Sequence, residues 1–312
     1  MKTLHCLLLL SLSAALTVRG QSSTVLTAGL SAWGLNTYYV SASTGSDSTN
    51  DGSIAEPFAS ISQAQTVATN ASNIIYVLDG VFNYSGGGIT ISNGSCQNYA
   101  FAPGVVLTNA YFDLIELSNT TVTISGPLDF YTSAGLNAFY YYGCSNLVFF
   151  AGTPQNPLNI VADGDGTGAS FLVQGSSIGK SQNINQYIFT TSFNISAIQF
   201  PKFFSNSHFY VSSILPSGGE ALAGTASGPA SYPYTNNCTL EFSGHVLTFT
   251  GAADENYDSH CKIIFNPMIL IIPVPPSESD TNTYFVFRDV EAVTWPTNLE
   301  AAGNLSTNSF TP

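Results

Sequence analysis

Hydrophobic positions along the chain recur mostly at a spacing of two, in short runs broken by Gly, Asn, Asp and Pro. Alternation of that kind belongs to half-buried strands, and the breaking residues belong to turns. The runs predict strands over 74–78, 89–92, 105–108, 114–117 and 122–125, then over 147–150 and 187–190. A later group covers 240–242, 246–250, 263–265 and 284–287. Helical spacing is nearly absent. One window, 61–69, sets Ile61, Ala64, Val67 and Ala68 at helical intervals, with Ser60 or Ser62 as cap. Strands this short fit stacked coils better than a sandwich.

Self-similarity points the same way. Residues 115–127, IELSNTTVTISGP, align without a gap on residues 240–252, LEFSGHVLTFTGA. Glu116 matches Glu241, Ser118 matches Ser243, Thr123 matches Thr248 and Gly126 matches Gly251. The offset is 125 residues, five turns of about 25, and β-solenoid coils use periods of about 20–30. A looser copy, CSNLVFFAG over 144–152, lies 26 residues beyond 118–126. At that period, residues 74–300 make about nine coils.

The chain begins with Lys2, an apolar stretch over 7–16 and Val18-Arg19-Gly20, the layout of a secretory signal cut before Gln21. That stretch is too short to span a bilayer comfortably, and residues 304–312 are polar, unlike a lipid-anchor tail. The mature chain is expected to be secreted and extracellular, with no membrane insertion.

Charged residues make up 8% of the 312, apolar residues 44% and aromatic residues 12%. Ser, Thr, Asn and Gly replace the missing charges, which describes a folded chain with a neutral polar surface suited to glycan contact. The formal charge is −13. Removing the signal leaves Lys180, Lys202, Lys262 and Arg288 against nineteen acidic residues, a charge of −15. So few cations exclude nucleic-acid binding by counterion release and disfavour anionic lipid surfaces.

Four cysteines outlast the signal, which suggests two disulfides with three possible connectivities. Cys238 and Cys261 lie 23 residues apart, close to one coil, and residues stacked about 4.8 Å apart fall within disulfide range. Cys96 and Cys144 are 48 apart, nearer two coils, so that pair requires an irregular coil. No Cys-x-x-Cys or His-x-x-x-His spacing suggests zinc. Asn-x-Ser/Thr sequons at Asn70, Asn83, Asn93, Asn119, Asn194, Asn237 and Asn304 are glycosylation acceptors in an exported chain and mark outward turns.

Residues 38–64 read YYVSASTGSDSTNDGSIAEPFASISQA, and residues 74–83 read IIYVLDGVFN. A strand leads to a Gly-Ser-Asp…Asn-Asp-Gly-Ser loop, a Pro-Phe-Ala-Ser-Ile segment, a helix, a strand and an Asp-Gly turn. Gly45, Ser46, Asp47, Asn50, Asp51, Gly52, Pro57, Phe58, Ala59, Ser60, Ile61 and Ala64 carry the pattern. This opening resembles the N-terminal cap and first coil of secreted proteins of the pectate-lyase-like superfamily. The resemblance covers residues 38–83 and implies an all-β, single-stranded right-handed parallel β-helix with a short N-terminal capping helix. It selects no activity, because the superfamily spans polysaccharide lyases, hydrolases, epimerases, phage tailspikes and adhesin-like surface proteins. The expected organisation is a signal peptide over 1–20, an extension over 21–37, a β-helix over 38–262, and final coils or a C-terminal cap over 263–312.

Candidate chemistry is sparse. The resemblance implies, for a lyase, Asp-bound calcium and a Lys or Arg base, yet the four cations are scattered and fit no lyase motif. A hydrolase needs paired carboxylates. Asp163 and Asp165, in Asp-Gly-Asp-Gly-Thr-Gly, form the densest acidic spot and resemble the start of a calcium loop. No Glu closes that loop, and a tight turn is the plainer alternative. Asp47 and Asp51 belong to the cap loop, and Asp254, Glu255 and Asp258 beside His260 read as a solvated loop. His208, His245 and His260 lack a Ser or Cys nucleophile nearby. No nucleophile elbow, P-loop or dinucleotide fingerprint occurs. No cofactor is therefore expected, with calcium at Asp163 and Asp165 the one metal reading. The runs Phe139-Tyr140-Tyr141-Tyr142, Phe149-Phe150, Phe203-Phe204 and Phe209-Tyr210 suit coil interiors. Alternation nonetheless turns at least one ring of Tyr140, Tyr141 and Tyr142 outward, where it can stack on a sugar. No catalytic set is complete. The expectation is a secreted, non-catalytic glycoprotein of cell-surface or matrix type that contacts extracellular glycans or surface proteins. The alternative is an extracellular polysaccharide lyase or glycoside hydrolase of the same superfamily.

Overall fold

Alternation becomes a wall. In Ile74–Asp79 the side chains of Ile75 and Val77 are fully buried while their neighbours stay half-exposed, and Phe112 and Leu114 do the same in Tyr111–Ile115. Each strand thus has one dry side. Its backbone groups still need partners, and parallel stacking on the next coil supplies them. The computed structural model describes residues 36–132, 138–162, 173–175, 181–194, 204–213, 220–221, 237–243, 246–250, 262–266, 269–274, 284–288 and 291–294.

The result is a parallel β-solenoid with three faces. The first face stacks Thr37–Ser41, Ile74–Asp79, Asn98–Phe101, Ser118–Ser125, Ser145–Ala151 and Ser181–Asn194. It continues through His208–Ser213, Thr239–Ser243, Lys262–Phe265 and Tyr284–Phe287. The second face stacks Val81–Asn83, Val105–Thr108, Leu128–Thr132 and Leu158–Ala162, and the third stacks Gly88–Ser92, Tyr111–Ile115, Phe139–Tyr142 and Val173–Gly175. Four coils, within residues 74–175, show all three faces. Ser181–Asn194 is 14 residues long and belongs to two faces: Asn185 pairs with Val148 on the first, and Phe193 pairs with Ile160 on the second. A further parallel sheet joins Glu220–Ala221, Val246–Thr250, Ile269–Val274 and Glu291–Thr294.

Inside the coils, Phe112, Phe130, Phe139 and Phe149 form a continuous stack, with ring centroids 5.0–6.0 Å apart along it. At the start of the first face the chain turns through asparagines in the left-handed region. Asn119, Asn146 and Asn183 have φ of 51°, 50° and 54°. Asn tolerates that conformation better than other side chains with a Cβ. Their amides stack as well: Asn146 Nδ2 donates to Asn119 Oδ1, and Asn183 Nδ2 donates to Asn146 Oδ1, both at 2.9 Å. Asn237 and Asn206 repeat the arrangement at 2.8 Å.

The residues behind the family resemblance build a cover for the first strand. Tyr39 N donates to Gly52 O, Phe58 N to Tyr39 O and Ser41 N to Phe58 O, so the loop occupies the strand's outer edge. Gly45 permits the close approach, because a Cβ there would lie 2.2 Å from Phe58 O. Asp47 then joins the loop to helix α1 (Ile61–Val67). Its Oδ1 accepts from Ala59 N and Ser60 N, its Oδ2 accepts from Ser60 Oγ, and Ser60 Oγ caps α1 by accepting from Gln63 N. At about 100° per residue, Ile61, Ala64 and Ala68 share one side, and all three are buried. Val67 falls off that side and is exposed, and Ala68 leaves helical geometry at ψ 65°, which ends the helix at Val67 instead of residue 69.

Two expectations need correcting. First, the repeat exists, but its phase differs. Thr121 pairs with Val148, Val148 with Asn185, Asn185 with His208 and His208 with Thr239. The gapless alignment instead sets Thr121 against Val246, which lies in the other sheet. The looser copy is out by one residue, since Ser118 pairs with Ser145, and a slip of one turns every side chain to the opposite side. Second, Cys96 and Cys144 do not pair. Cys96 Sγ donates to Asn73 O and Cys144 Sγ to Leu114 O, each a free buried thiol. They stand two coils apart, about 10 Å, beyond the Cα separation a disulfide spans. Thr239 pairs with Lys262, so Cys238 ends the turn before one strand; Cys261, which precedes the other, lies outside the described residues.

Candidate functional site

The outward side of the first face carries a row of rings that ends in a polar cluster. Phe150 pairs with Tyr187, Tyr187 with Tyr210 and Tyr210 with Glu241, one residue per coil. All four are half-buried, because side chains on the adjacent rungs flank each of them. Phe150 and Tyr187 stack at 5.0 Å and 16°, and Tyr210 tilts against Tyr187 at 6.3 Å. Glu241 is held on both carboxylate oxygens. His208 Nε2 lies 3.0 Å from Oε2, while Asn266 Nδ2 and Arg288 Nη1 donate to Oε1 at 2.9 and 3.3 Å. Tyr187 meets the His208 ring edge-on at 6.0 Å.

A second group lies on the outward side of the third face. Phe139 and Tyr141 point into the core, which turns Tyr140 and Tyr142 outward, as the alternation of the run requires. Their rings are 6.0 Å apart and nearly parallel, at 6°. Tyr111, one coil earlier, meets Tyr140 edge-on at 5.1 Å. Asp113 pairs in register with Tyr140 and stands among these rings, and its Oδ1 is buried with no hydrogen-bond partner among the described residues. Burial pushes its carboxyl up to about 6. Tyr142 is pushed up to about 12, by burial first and then by Asp113, Tyr140 and Tyr111.

Other candidates fall elsewhere. Asp47 and Asp51 are structural, and Ser53 N donates to Asp51 Oδ1 and holds that carboxyl below its ordinary range. Among sequons, Asn70, Asn83, Asn93, Asn119 and Asn237 are exposed. Asn194 lies at the end of the long strand. Asp163, Asp165, Asp254, Glu255, Asp258, His245, His260, Lys180, Lys202, Phe203 and Asn304 lie outside the described residues, as do residues 1–35. Among the described residues no group of three or more His, Cys, Asp or Glu could hold a metal ion, and no helix is long and apolar enough to cross a membrane.

Sequence reasoning singled out the tyrosine run and set His208 aside for want of a nucleophile nearby; it missed that Glu241 joins His208 and that Asp113 joins the tyrosines. The signal for each was one acidic residue within an otherwise apolar or aromatic strand, Leu240-Glu241-Phe242 and Tyr111-Phe112-Asp113-Leu114. No protein-family model matches the chain, and neither the curated proteins nor the solved structures provide a match.

Proposed function

We propose that the chain is a secreted, non-catalytic glycoprotein of the pectate-lyase-like superfamily that contacts extracellular glycans along the outer first face. The row Phe150–Tyr187–Tyr210 leading to His208, Glu241, Asn266 and Arg288 carries this reading. The half-buried row of rings offers apolar contact to a sugar, and the fixed amide, imidazole and guanidinium offer hydrogen bonds at one end. Glu241 supports contact over catalysis. Both of its oxygens are engaged, whereas a hydrolase keeps two carboxyl groups free to exchange protons across the scissile bond.

A second reading, a polysaccharide-cleaving enzyme, draws on the same cluster, because it gathers a carboxylate and two potential cations on neighbouring coils. The purified protein, incubated with a panel of plant, fungal and animal polysaccharides with and without calcium, separates the two. Retention without new reducing ends or unsaturated products is expected, with Tyr187→Ala and Tyr210→Ala each weakening retention about tenfold. Products that disappear in Glu241→Gln would establish the enzyme instead. No retention on any polysaccharide would end the glycan reading.

A further inference from the structure

The group on the third face stands apart from the proposed glycan row and has a different chemistry. Three strands meet there. Gly88 and Thr90 come from the first, Tyr111 and Asp113 from the second, and Tyr140 and Tyr142 from the third. Gly88 makes room for the Tyr111 ring and the Asp113 carboxyl, because a Cβ there would lie 2.3 Å from the ring and 2.8 Å from Asp113 Oδ2. Asp113 is the one carboxyl among these six residues, and the other titratable groups are the three phenols. An outward carboxylate with a partnerless buried oxygen is costly when charged. A ligand that donates charge, and not merely a hydrogen bond, relieves that cost. Hard metal ions require six or more oxygens, far more than one carboxylate offers. An organic cation needs one carboxylate and ring faces.

We propose that Tyr111, Asp113, Tyr140 and Tyr142 form a binding site for an organic ammonium group. Asp113 supplies the counter-charge. The face of one ring and the edge-on pair Tyr111–Tyr140 supply aromatic contact to the groups on nitrogen. A quaternary ammonium fits best, since it is weakly hydrated and, having no N–H to donate, needs only a counter-charge and ring faces. The ammonium is borne on a soluble molecule or on a lipid headgroup, and the two sources differ in whether the ligand arrives on a membrane. Because Asp113 loses its charge near pH 6, the site works above that pH and fails below it.

Choline is the probe, since it stays cationic at every relevant pH, and 3,3-dimethyl-1-butanol is its uncharged isostere. Tyrosine fluorescence or calorimetric titration of the full secreted chain at pH 7.5 is expected to show saturable choline binding in about the millimolar range, with none for the isostere. Binding should weaken about tenfold at pH 5. Asp113→Asn should weaken it about tenfold at pH 7.5 and remove the pH dependence, with an unchanged circular dichroism spectrum. Tyr140→Leu, a second variant that keeps the strand apolar, should weaken choline at both pH values. Pull-down by phosphatidylcholine vesicles that free choline competes would support the site with a lipid source, and free choline alone would support a soluble one. Equal binding of choline and the isostere, or no saturable response up to about 50 mM choline, would overturn the proposal.

Discussion

Asn146 shows how much one side chain holds here. It sits at φ 50°, donates to Asn119 below and accepts from Asn183 above. Ala would lose both bonds and still face the left-handed penalty, about 2–3 kcal/mol together. Asn146→Ala is therefore expected to lower the thermal midpoint, and Asn146→Gly, which avoids the penalty, should fall between it and the parent. Asp113 acts in the opposite sense. Its carboxyl is raised to about 6 by burial, so the unfolded chain ionises first as pH rises. Folding stability then falls between about pH 4 and pH 6, and the cost persists above that window. Asp113→Asn should raise stability at pH 7.5 by about 1–2 kcal/mol, a figure reduced for the carboxyl's partial exposure, and leave it unchanged near pH 4. Urea melts at the two pH values check both the size and the sign. Asp113 left a trace in the sequence, a lone acid in an aromatic strand, but the role of Asn146 was not legible there. Asn146 sits in an ordinary Ser-Asn-Leu triplet, and its role exists only because coils of unequal length bring Asn119, Asn146 and Asn183 into line.

Single elements read more easily than their arrangement. Ile75 and Val77 announce a half-buried strand because the period of two is local, and Ser60 announces α1 because a cap acts within three residues. The cap loop was legible for the same reason, since Gly45, Asp47 and Asn50 bond within 13 positions of themselves. Asp47→Ala removes three of those bonds and should cost about 1–2 kcal/mol. Amide exchange in α1 is expected to accelerate while the two coils carrying Phe112 and Phe130 keep their protection. Uniform acceleration throughout the coils would show that the loop is not a separate unit. Faces were less legible. Thr123 and Thr248 occupy matching sequence contexts on the first face and in the other sheet, respectively, because the sequence alternation that marks a strand does not say which sheet the strand joins.

At the scale of the whole molecule, stability in a solenoid is a sum over neighbouring coils, and the coil separations set which neighbours meet. From Ile74–Asp79 onward most adjacent rungs of the first face are 22–27 residues apart, but Ser145 and Gln182 are separated by 37 and His208 and Thr239 by 31. A fixed period of 25 drifts out of step across those two coils, which is why the 125-residue match crossed sheets. The loop laid along Thr37–Ser41 closes one end of this stack. A stack of parallel strands has no intrinsic last member, and a bare terminal strand would accept another chain as readily as its own. By filling the hydrogen-bonding positions of Tyr39 and Ser41, the loop that bears Gly52 and Phe58 acts as a chain terminator in the polymer sense. Gly45→Val, whose side chain cannot fit beneath Phe58 O, should reopen that end. Its expected signature in sedimentation velocity is a ladder of head-on oligomers that lengthens with protein concentration, where the parent chain stays at one size.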